Sequence, residues 1–310
     1  MKKNISALFV SIVFLIILLE LFVRLFIDNG YNYELEMMKY SNELKFPVIK
    51  NNELNYLSHY PNKKIKIMDV MIETDENGYR FIQKNINKRK KILMLGDSMT
   101  FGFGANKTFS DFLNDDLDDY NVINAGVGNT NTIMQINSFF EKDYKTSPNI
   151  IILNFFINDL EKVKIRKKNI LDFSYFYNFL LYKIKILNLK YYNNFNYVEF
   201  YKSTFQDQEY LSMTFNKLEK LKDYCVNKNI KLFVNFIPEI REINSDIFLN
   251  EKNIIKNFLS KNNILFIDGY DHFKKIDKIS FLVHMNDPHM NTMGHKEIFN
   301  YLRTFVIKNQ

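Results

Sequence analysis

The chain reads KILMLGDSMTFGFG over residues 91–104. The apolar run 92–95 ends at the small residues GDS, and an amphipathic stretch follows over residues 108–120. This pattern is typical of a buried parallel strand that ends in a tight turn and opens a helix. Ligands bind at the carboxyl ends of such strands, and a helix N-terminus stabilises negative charge through its N–H groups and its dipole. We therefore predict that Ser98 is a nucleophile.

The composition is that of a globular protein with a substantial core. Of the 310 residues, 46% are hydrophobic and 25% are charged. The net charge of +7 is spread along the chain without a compact stripe of Lys and Arg, which argues against nucleic-acid binding. Cys225 is the single cysteine, so it forms no internal disulfide, and its helical pattern predicts a core position. No Cys/His cluster has the spacing of a metal site.

The N-terminus predicts a membrane anchor with a single span. Two lysines precede the uncharged, mostly apolar residues 5–19, and the stretch continues to residue 27 with Glu20 and Arg24 inside it. A span needs roughly 20 apolar residues, so we expect Glu20 and Arg24 near the outer interface, where their i,i+4 spacing allows an ion pair. No small-x-small cleavage site follows, which favours an uncleaved anchor over a signal peptide.

The lysines before the span also predict the orientation of the chain. Residues after about 30 are expected outside the cytoplasm, on the periplasmic or extracellular face. An amphipathic helix of a soluble fold is the alternative. We divide the chain into a transmembrane anchor over residues 1–28, a stalk with a small extended segment over 29–90, and a main domain over 91–310. In the middle segment, strands are predicted at residues 68–73 and 78–81 around a turn at 75–78.

Apolar runs alternate with amphipathic helical patterns throughout the main domain. Strands are predicted at residues 92–95, 122–124, 150–155, 231–236 and 265–267. Helices are predicted near residues 108–117, 130–144, 210–228, 247–262 and 293–307. This alternation predicts a parallel sheet covered by helices on both faces. An insertion rich in Tyr, Phe, Lys and Asn, residues 160–208, follows the third strand, and it either shapes a substrate site or elaborates the surface.

A serine nucleophile needs a base, and the base needs an orienting acid. Among the five histidines, His289 has a carboxylate close by, Asp287, in a loop that enters the last predicted helix. Side chains two residues apart in extended chain leave the same face, so Asp287 can orient the imidazole. The chain order is then Ser98, Asp287, His289. His284 is the main alternative base, and His295 is expected on the surface of the last helix.

Two further segments are predicted to complete the site. A loop of small residues follows the second strand over residues 124–130, and the third strand is followed by Asn158. The Asn158 amide and a backbone N–H at Gly128 or Asn129 would form an oxyanion hole together with the Ser98 N–H.

With these residues the chain resembles the SGNH (GDSL-type) hydrolase superfamily over residues 91–308. The four sequence blocks of that superfamily are matched by GDS at 96–98, the loop 124–132, Asn158-Asp159 and Asp287-Pro288-His289. The resemblance implies a three-layer α/β/α, flavodoxin-like parallel sheet and ester chemistry without a cofactor. The segment NGYR at residues 77–80, together with the anchor, is similar to bacterial membrane-anchored members. Alginate-type acetylation proteins of the superfamily also have Asp-x-His in the last block.

The chain departs from the pattern of the superfamily at three positions. Phe156 stands where a glycine usually precedes the asparagine block, which narrows the site. Asn129 stands where glycine is commonest, so the backbone donor is Gly128 or Asn129. The commoner Asp-x-x-His spacing would put Asn286 in place of the acid, whereas Asp287 requires the shorter spacing.

These features predict a serine esterase that acts on acyl esters, above all acetyl esters, of an envelope glycan or lipid through an acyl-Ser98 intermediate. A polysaccharide O-acetyltransferase with the same triad is the first alternative. A non-catalytic glycan-binding or envelope-assembly module is the second, and a soluble cytoplasmic lipase-like enzyme is a third. The expected partners are the membrane, an acylated carbohydrate or lipid, and envelope polysaccharide machinery. The aromatic insertion suits stacking on sugars, for which Tyr175 and Tyr177 are candidates.

Overall fold

A computed structural model of the chain describes residues 2–30, 32–164, 169–192, 196–276, 279–284 and 287–309. The strands in these ranges are β1 (Lys45–Lys50), β2 (Glu53–His59), β3 (Lys64–Ile67), β4 (Val70–Glu73), β5 (Lys90–Leu95), β6 (Tyr120–Asn124), β7 (Ile150–Phe155), β8 (Lys231–Phe236) and β9 (Leu265–Asp268). The helices are α1 (Lys2–Phe22), α2 (Tyr33–Lys39), α3 (Ser98–Phe101), α4 (Phe109–Asp116), α5 (Thr132–Glu141), α6 (Tyr175–Tyr192), α7 (Tyr197–Thr204), α8 (Gln208–Asn227), α9 (Leu249–Lys261), α10 (Tyr270–Phe273) and α11 (Thr292–Asn309).

The five predicted strands of the main domain form one parallel sheet in the order β6-β5-β7-β8-β9. Right-handed crossovers in this order place α4 and α11 on one face and α5, α8 and α9 on the other. Phe112 of α4 accordingly contacts Phe299 of α11, with ring centroids 5.7 Å apart. On the opposite face, Phe215 of α8 stacks on Phe258 of α9 at 4.0 Å. The predicted three-layer flavodoxin-like fold is confirmed.

The buried strands explain why this part of the fold is readable from the sequence. All six residues of β7 are buried, and so are the last four residues of β5 and of β8. A strand covered on both faces appears in the sequence as a continuous apolar run. A capping box between Thr108 and Asp111 begins α4, next to the predicted start of that helix. Cys225 is buried in α8, as predicted.

Residues 33–82 pack onto the sheet domain as a helix and two antiparallel hairpins, β1–β2 and β3–β4. The predicted strand at 68–73 is wrong at its start, because Met68 and Asp69 have positive φ and form the turn between β3 and β4. The predicted strand at 78–81 is reduced to bridges from Arg80 to Thr74 and to Asn124 of β6. The boundaries of the three predicted segments stay a prediction.

Helix α1 continues into a π-helical turn, Val23–Ile27, as one apolar helix. Within the described residues, Ile5–Ile27 is the one segment long and apolar enough to cross a membrane. Membrane anchors and signal sequences both have this property, so anchoring and the side of the membrane stay predictions. Arg24 Nε pairs with Glu20 Oε1 at 2.8 Å, as the spacing of the two residues predicts.

Candidate active site

Ser98 lies at the carboxyl end of β5, where the sequence predicts it. The Asp97 side chain caps α3 by accepting a hydrogen bond from the Met99 N–H at 2.8 Å, so that Ser98 is the first helical residue. Gly102 ends α3 with a φ of 79°, and a Cβ there would lie 2.3 Å from Thr108 Cγ2. The turn after the serine therefore requires glycine.

The three predicted triad residues meet in space. His289 Nε2 lies 2.7 Å from Ser98 Oγ, and His289 Nδ1 is hydrogen-bonded to Asp287 Oδ1. The same carboxylate oxygen accepts the backbone N–H of His289 at 2.7 Å. Because a carboxylate only accepts, the Nδ1–H donates to Asp287 and leaves Nε2 to accept the Ser98 hydroxyl proton.

A short loop before α11 delivers the base. Its two arms are joined by hydrogen bonds from the Val283 N–H to the His289 carbonyl at 2.9 Å and from the Asn291 N–H to the Phe281 carbonyl at 2.8 Å. Within the loop, the Asp287 N–H donates to the His284 carbonyl at 3.0 Å. These bonds hold Asp287 and His289 in register with each other. Asn286, the alternative acid position, lies outside the described residues.

The other two histidines considered from the sequence have different surroundings. His284 is exposed and its ring stacks on Tyr33, 5.9 Å between centroids, rather than on Ser98. His295 was expected on the helix surface, but it is buried with 1% exposure, which corrects that prediction. Its Nδ1 accepts the Phe109 N–H at 3.3 Å, and burial lowers its pKa to about 3. His295 lies on the inward stripe of α11 with Ile298 and Leu302, a spacing that the sequence shows.

Buried carboxylates set the charge of the site. Burial disfavours the imidazolium form of His289, but the Asp287 carboxylate and, at longer range, Asp97 raise the pKa of His289 above its usual 6.5. Burial raises the pKa of Asp97 to about 6, against hydrogen bonds from the Met99 N–H and the Asn158 side chain. Burial and the nearby Asp97 charge raise the pKa of Asp159 as well. Asp97, which precedes Ser98 in the chain, and Asp159, which lies within range of the Asp97 charge, therefore both have raised pKa values.

The pKa of His289 predicts the acid side of the pH profile. Only the neutral imidazole accepts the Ser98 proton, so kcat/KM is expected to fall as the pH drops through a pKa above 6.5. Asp287→Asn removes the charge that raises this pKa. The acid-side inflection of the residual kcat/KM of this variant is therefore expected at a lower pH than in wild type. The measurement is kcat/KM for p-nitrophenyl acetate from about pH 5 to pH 9. An inflection unchanged in Asp287→Asn would instead assign the profile to Asp97.

The predicted oxyanion donors do not all hold in the structure. The Gly128 N–H donates to the Tyr40 hydroxyl at 2.5 Å, which corrects its prediction as the backbone donor. Asn129 has a positive φ of 60° and is exposed, and no acceptor for its N–H or for the Ser98 N–H is found in the described part of the chain. Asn158 donates one amide hydrogen to Asp97, and its Oδ1 is buried without a partner among the described residues.

Tyr40 is a site residue that the sequence does not reveal. Its hydroxyl accepts the Gly128 N–H and lies 2.8 Å from His59 Nε2. Burial lowers the pKa of His59 to about 3, so the ring is neutral and its Nε2 accepts a hydrogen bond from the Tyr40 hydroxyl. Lys45 Nζ donates to the Gly128 carbonyl at 2.9 Å. The glycine loop is thus held on both sides by residues that precede the sheet domain.

Arg80 is a second positioning residue, and it lies in the NGYR segment already singled out in the sequence. Its guanidinium is buried and donates to the carbonyls of Phe101 and Gly102 at 2.9 and 2.8 Å, and to that of Ala105 at 2.5 Å. These carbonyls belong to the turn that follows α3. Phe103 in the same turn contacts the His289 ring, 5.1 Å between centroids. Arg80 therefore supports the turn between the nucleophile and the base.

The chain is similar to GDSL-type hydrolases of known structure. A member of the lipolytic protein G-D-S-L family from Veillonella parvula matches with 14% identity and a TM-score of 0.44, over 72% of this chain and 100% of that one. An acetylxylan esterase from Geobacillus stearothermophilus matches with 14% identity and a TM-score of 0.45, over 70% of this chain and 94% of that one. No protein-family model and no curated protein matches the chain.

A groove of about 920 Å³ begins at the glycine loop. Asn129 lines it, together with the positive charge of Lys45 and the apolar side chains of Phe46 and Leu57. Tyr175 does not line it: the Tyr175 hydroxyl donates to Glu43 at 2.8 Å, and the side chain is buried. Stacking of sugars on Tyr175 is therefore a wrong prediction. Among the described residues, no group of His, Cys, Asp or Glu is arranged to hold a metal ion.

Proposed function

We propose that the chain is an SGNH-type serine esterase that cleaves acyl esters, above all acetyl esters, of an envelope glycan or lipid. The observation that carries this proposal is the hydrogen-bonded series from Ser98 Oγ through His289 to Asp287. The oriented base, the carboxylate behind it and the position of Ser98 at a helix start are the parts that an acyl-transfer nucleophile needs.

In the proposed mechanism, Ser98 Oγ attacks the acyl carbon while His289 Nε2 takes its proton. The bond to the alcohol oxygen then breaks, and His289 gives that oxygen the proton. Water attacks the acyl-Ser98 ester, His289 takes the proton of the water, and the carboxylic acid leaves as the proton returns to Ser98 Oγ. In both half-reactions His289 therefore acts first as the base and then as the acid, without changing its position.

The oxyanion that forms in each half-reaction needs donors in place beforehand. We assign the backbone N–H groups of Ser98 and Asn129 and the Asn158 amide to this role. An amide carries two hydrogens, so Asn158 can keep its bond to Asp97 and direct the second hydrogen at the oxyanion. The pKa of Asp97, about 6, still lies below neutral pH, so at neutral pH an ionised carboxylate accepts this bond.

The groove bears on the choice between hydrolysis and transfer. Its volume lies near the upper end for small-molecule pockets and is larger than an acetyl ester needs. A glycan could therefore lie next to the acyl group, and a sugar hydroxyl in place of water would make the same chain an O-acetyltransferase.

We place the catalytic domain outside the cytoplasm, held by the N-terminal span, where both substrates would be found.

The function is tested with a fluorophosphonate probe on the full chain in detergent micelles. We expect one probe per chain, bound at Ser98 by peptide mass spectrometry, and labelling slowed at least about 100-fold in His289→Gln, since the base is lost. Next, wild type receives p-nitrophenyl acetate with and without a xylo- or chito-oligosaccharide. Acetate in water identifies an esterase, and acetyl on the sugar identifies the transferase. No labelling of folded wild type would refute both and favour the non-catalytic module.

A further inference from the structure

A band of exposed apolar side chains runs from the turn before α6 along that helix. We call it the α6 apolar band, and its members, all exposed, are Ile170, Leu171, Phe173, Leu180, Ile184 and Leu187. The last three recur at helical spacing and form one stripe of α6. Contiguous exposed apolar surface of this kind marks an interaction site.

The first turn of α6 and the flank beside the band already have partners. Phe176 and Phe179 pack against a small cluster that contains Val23, Leu35 and Met38. This packing fixes the rotation of α6 about its axis. The α6 apolar band is therefore the side that the described protein residues leave uncovered.

The start of α6 is bound to the end of the predicted span. The Glu20 carboxylate accepts hydrogen bonds from the Tyr175 and Phe176 N–H groups at 3.0 and 2.9 Å and from the Ser174 hydroxyl at 2.8 Å. The Arg24 guanidinium lies 3.9 Å from the centroid of the Tyr175 ring. The first turn of α6 is thus placed at the level of Glu20 and Arg24.

The position of Glu20 and Arg24 at the end of the predicted span indicates what covers the band. Residues 5–18 of α1 are exposed and mostly apolar, and Glu20 is the first charged residue after the N-terminal lysines. If residues 5–19 cross the hydrocarbon, Glu20 and Arg24 lie in the outer interface. We propose that the α6 apolar band inserts into the outer interface of the same bilayer, so that lipid rather than protein covers this side of α6.

This inference rests on the anchor that belongs to the proposed function, and it adds a consequence for the substrate site. Asp172 and Asn178, at the start of α6, also line the groove. Asn178 Nδ2 donates to the Asp172 carbonyl at 2.7 Å, and the Asn42 amide donates to the same oxygen at 2.5 Å. One wall of the groove is therefore held at the bilayer surface.

Because the chain has no tryptophan, single tryptophans report on this surface without background. The variants are Phe173→Trp and Ile184→Trp in the band, Phe14→Trp in the span, and Ile86→Trp, which replaces an apolar side chain that is 97% exposed outside the band. Each full-length variant is reconstituted into lipid vesicles at a high ratio of lipid to protein, with plain or bromine-labelled phosphatidylcholine. We expect bromine to lower the emission of the span and band variants by about twofold or more, with little effect on Ile86→Trp.

The two failures give different results. If Phe14→Trp is not quenched, the anchor is wrong and this inference falls with it. If Phe14→Trp is quenched but both band variants behave like Ile86→Trp, the anchor stands and the membrane contact of α6 is refuted. Blue-shifted but unquenched emission from the band would mean that protein covers it, which also refutes the contact. Far-UV circular dichroism confirms that each variant is folded.

Discussion

Replacing Ser98 by Ala is expected to lower kcat for p-nitrophenyl acetate by about 10⁴- to 10⁶-fold, as loss of a serine nucleophile does in triad enzymes. In the structure, Ser98 Oγ is the group that His289 Nε2 contacts, at 2.7 Å. Alanine removes that oxygen and leaves the base without a proton to take. The effect is expected in kcat, because the substitution removes the attacking atom and leaves the surrounding side chains unchanged.

The control is Ser203→Ala. Ser203 is a helical serine whose hydroxyl donates to the Phe200 carbonyl within its own helix, outside the site. It is expected to keep wild-type kcat. The double variant Ser98→Ala/His289→Ala is expected to be no slower than Ser98→Ala alone, because the two residues act as a unit. Wild-type hydrolysis by folded Ser98→Ala would show that the activity arises elsewhere.

The sheet could be predicted because burial leaves a direct mark on the sequence. Strand β7 is buried along its whole length, and its predicted bounds are those observed. The hairpins before β5 are harder to recognise in the sequence, because β3 has four residues, KIKI, and both lysines are exposed. A strand with one solvated face and polar flanks resembles a loop, so the chain from 29 to 90 was the least predictable part.

The triad could be predicted because its partners are marked locally. Ser98 follows a strand, and Asp287 and His289 are two residues apart in a loop. The sequence could not show that the Gly128 N–H is already hydrogen-bonded, because its acceptor, the Tyr40 hydroxyl, is 88 positions away in the chain. Such a contact depends on how residues 33–82 fold back onto the sheet. The expected exposure of His295 was wrong for a different reason, since a polar residue was assigned to the surface although its helical stripe is apolar.

Arg80→Met is expected to lower the free energy of unfolding by about 3–5 kcal/mol, because it leaves the buried Phe101 and Ala105 carbonyls without a donor, while the Gly102 carbonyl keeps the Ala105 N–H at 3.0 Å. Arg80 is 5% exposed, and its guanidinium satisfies the carbonyls of Phe101, Gly102 and Ala105. Burial lowers the pKa of Arg80 to about 10, which still leaves it charged at neutral pH. Methionine keeps most of the apolar stem, so the variant removes the charge and the hydrogen bonds of the guanidinium while most of the packing remains.

Two comparisons make this result specific. Arg80→Lys keeps a charge and at least one donor, so its loss of stability is expected to be smaller. Arg303→Met is the matched control: Arg303 pairs with Asp116 at 2.6 Å with 44% of its side chain exposed, and such surface pairs contribute about 0–1 kcal/mol. Urea unfolding of the full chain in detergent, followed by near-UV circular dichroism of the tyrosines, gives the three values. Because Phe103 of the same turn contacts His289, kcat is expected to fall in Arg80→Met below the urea transition. Equal stability of Arg80→Met and Arg303→Met would mean that the turn does not depend on Arg80.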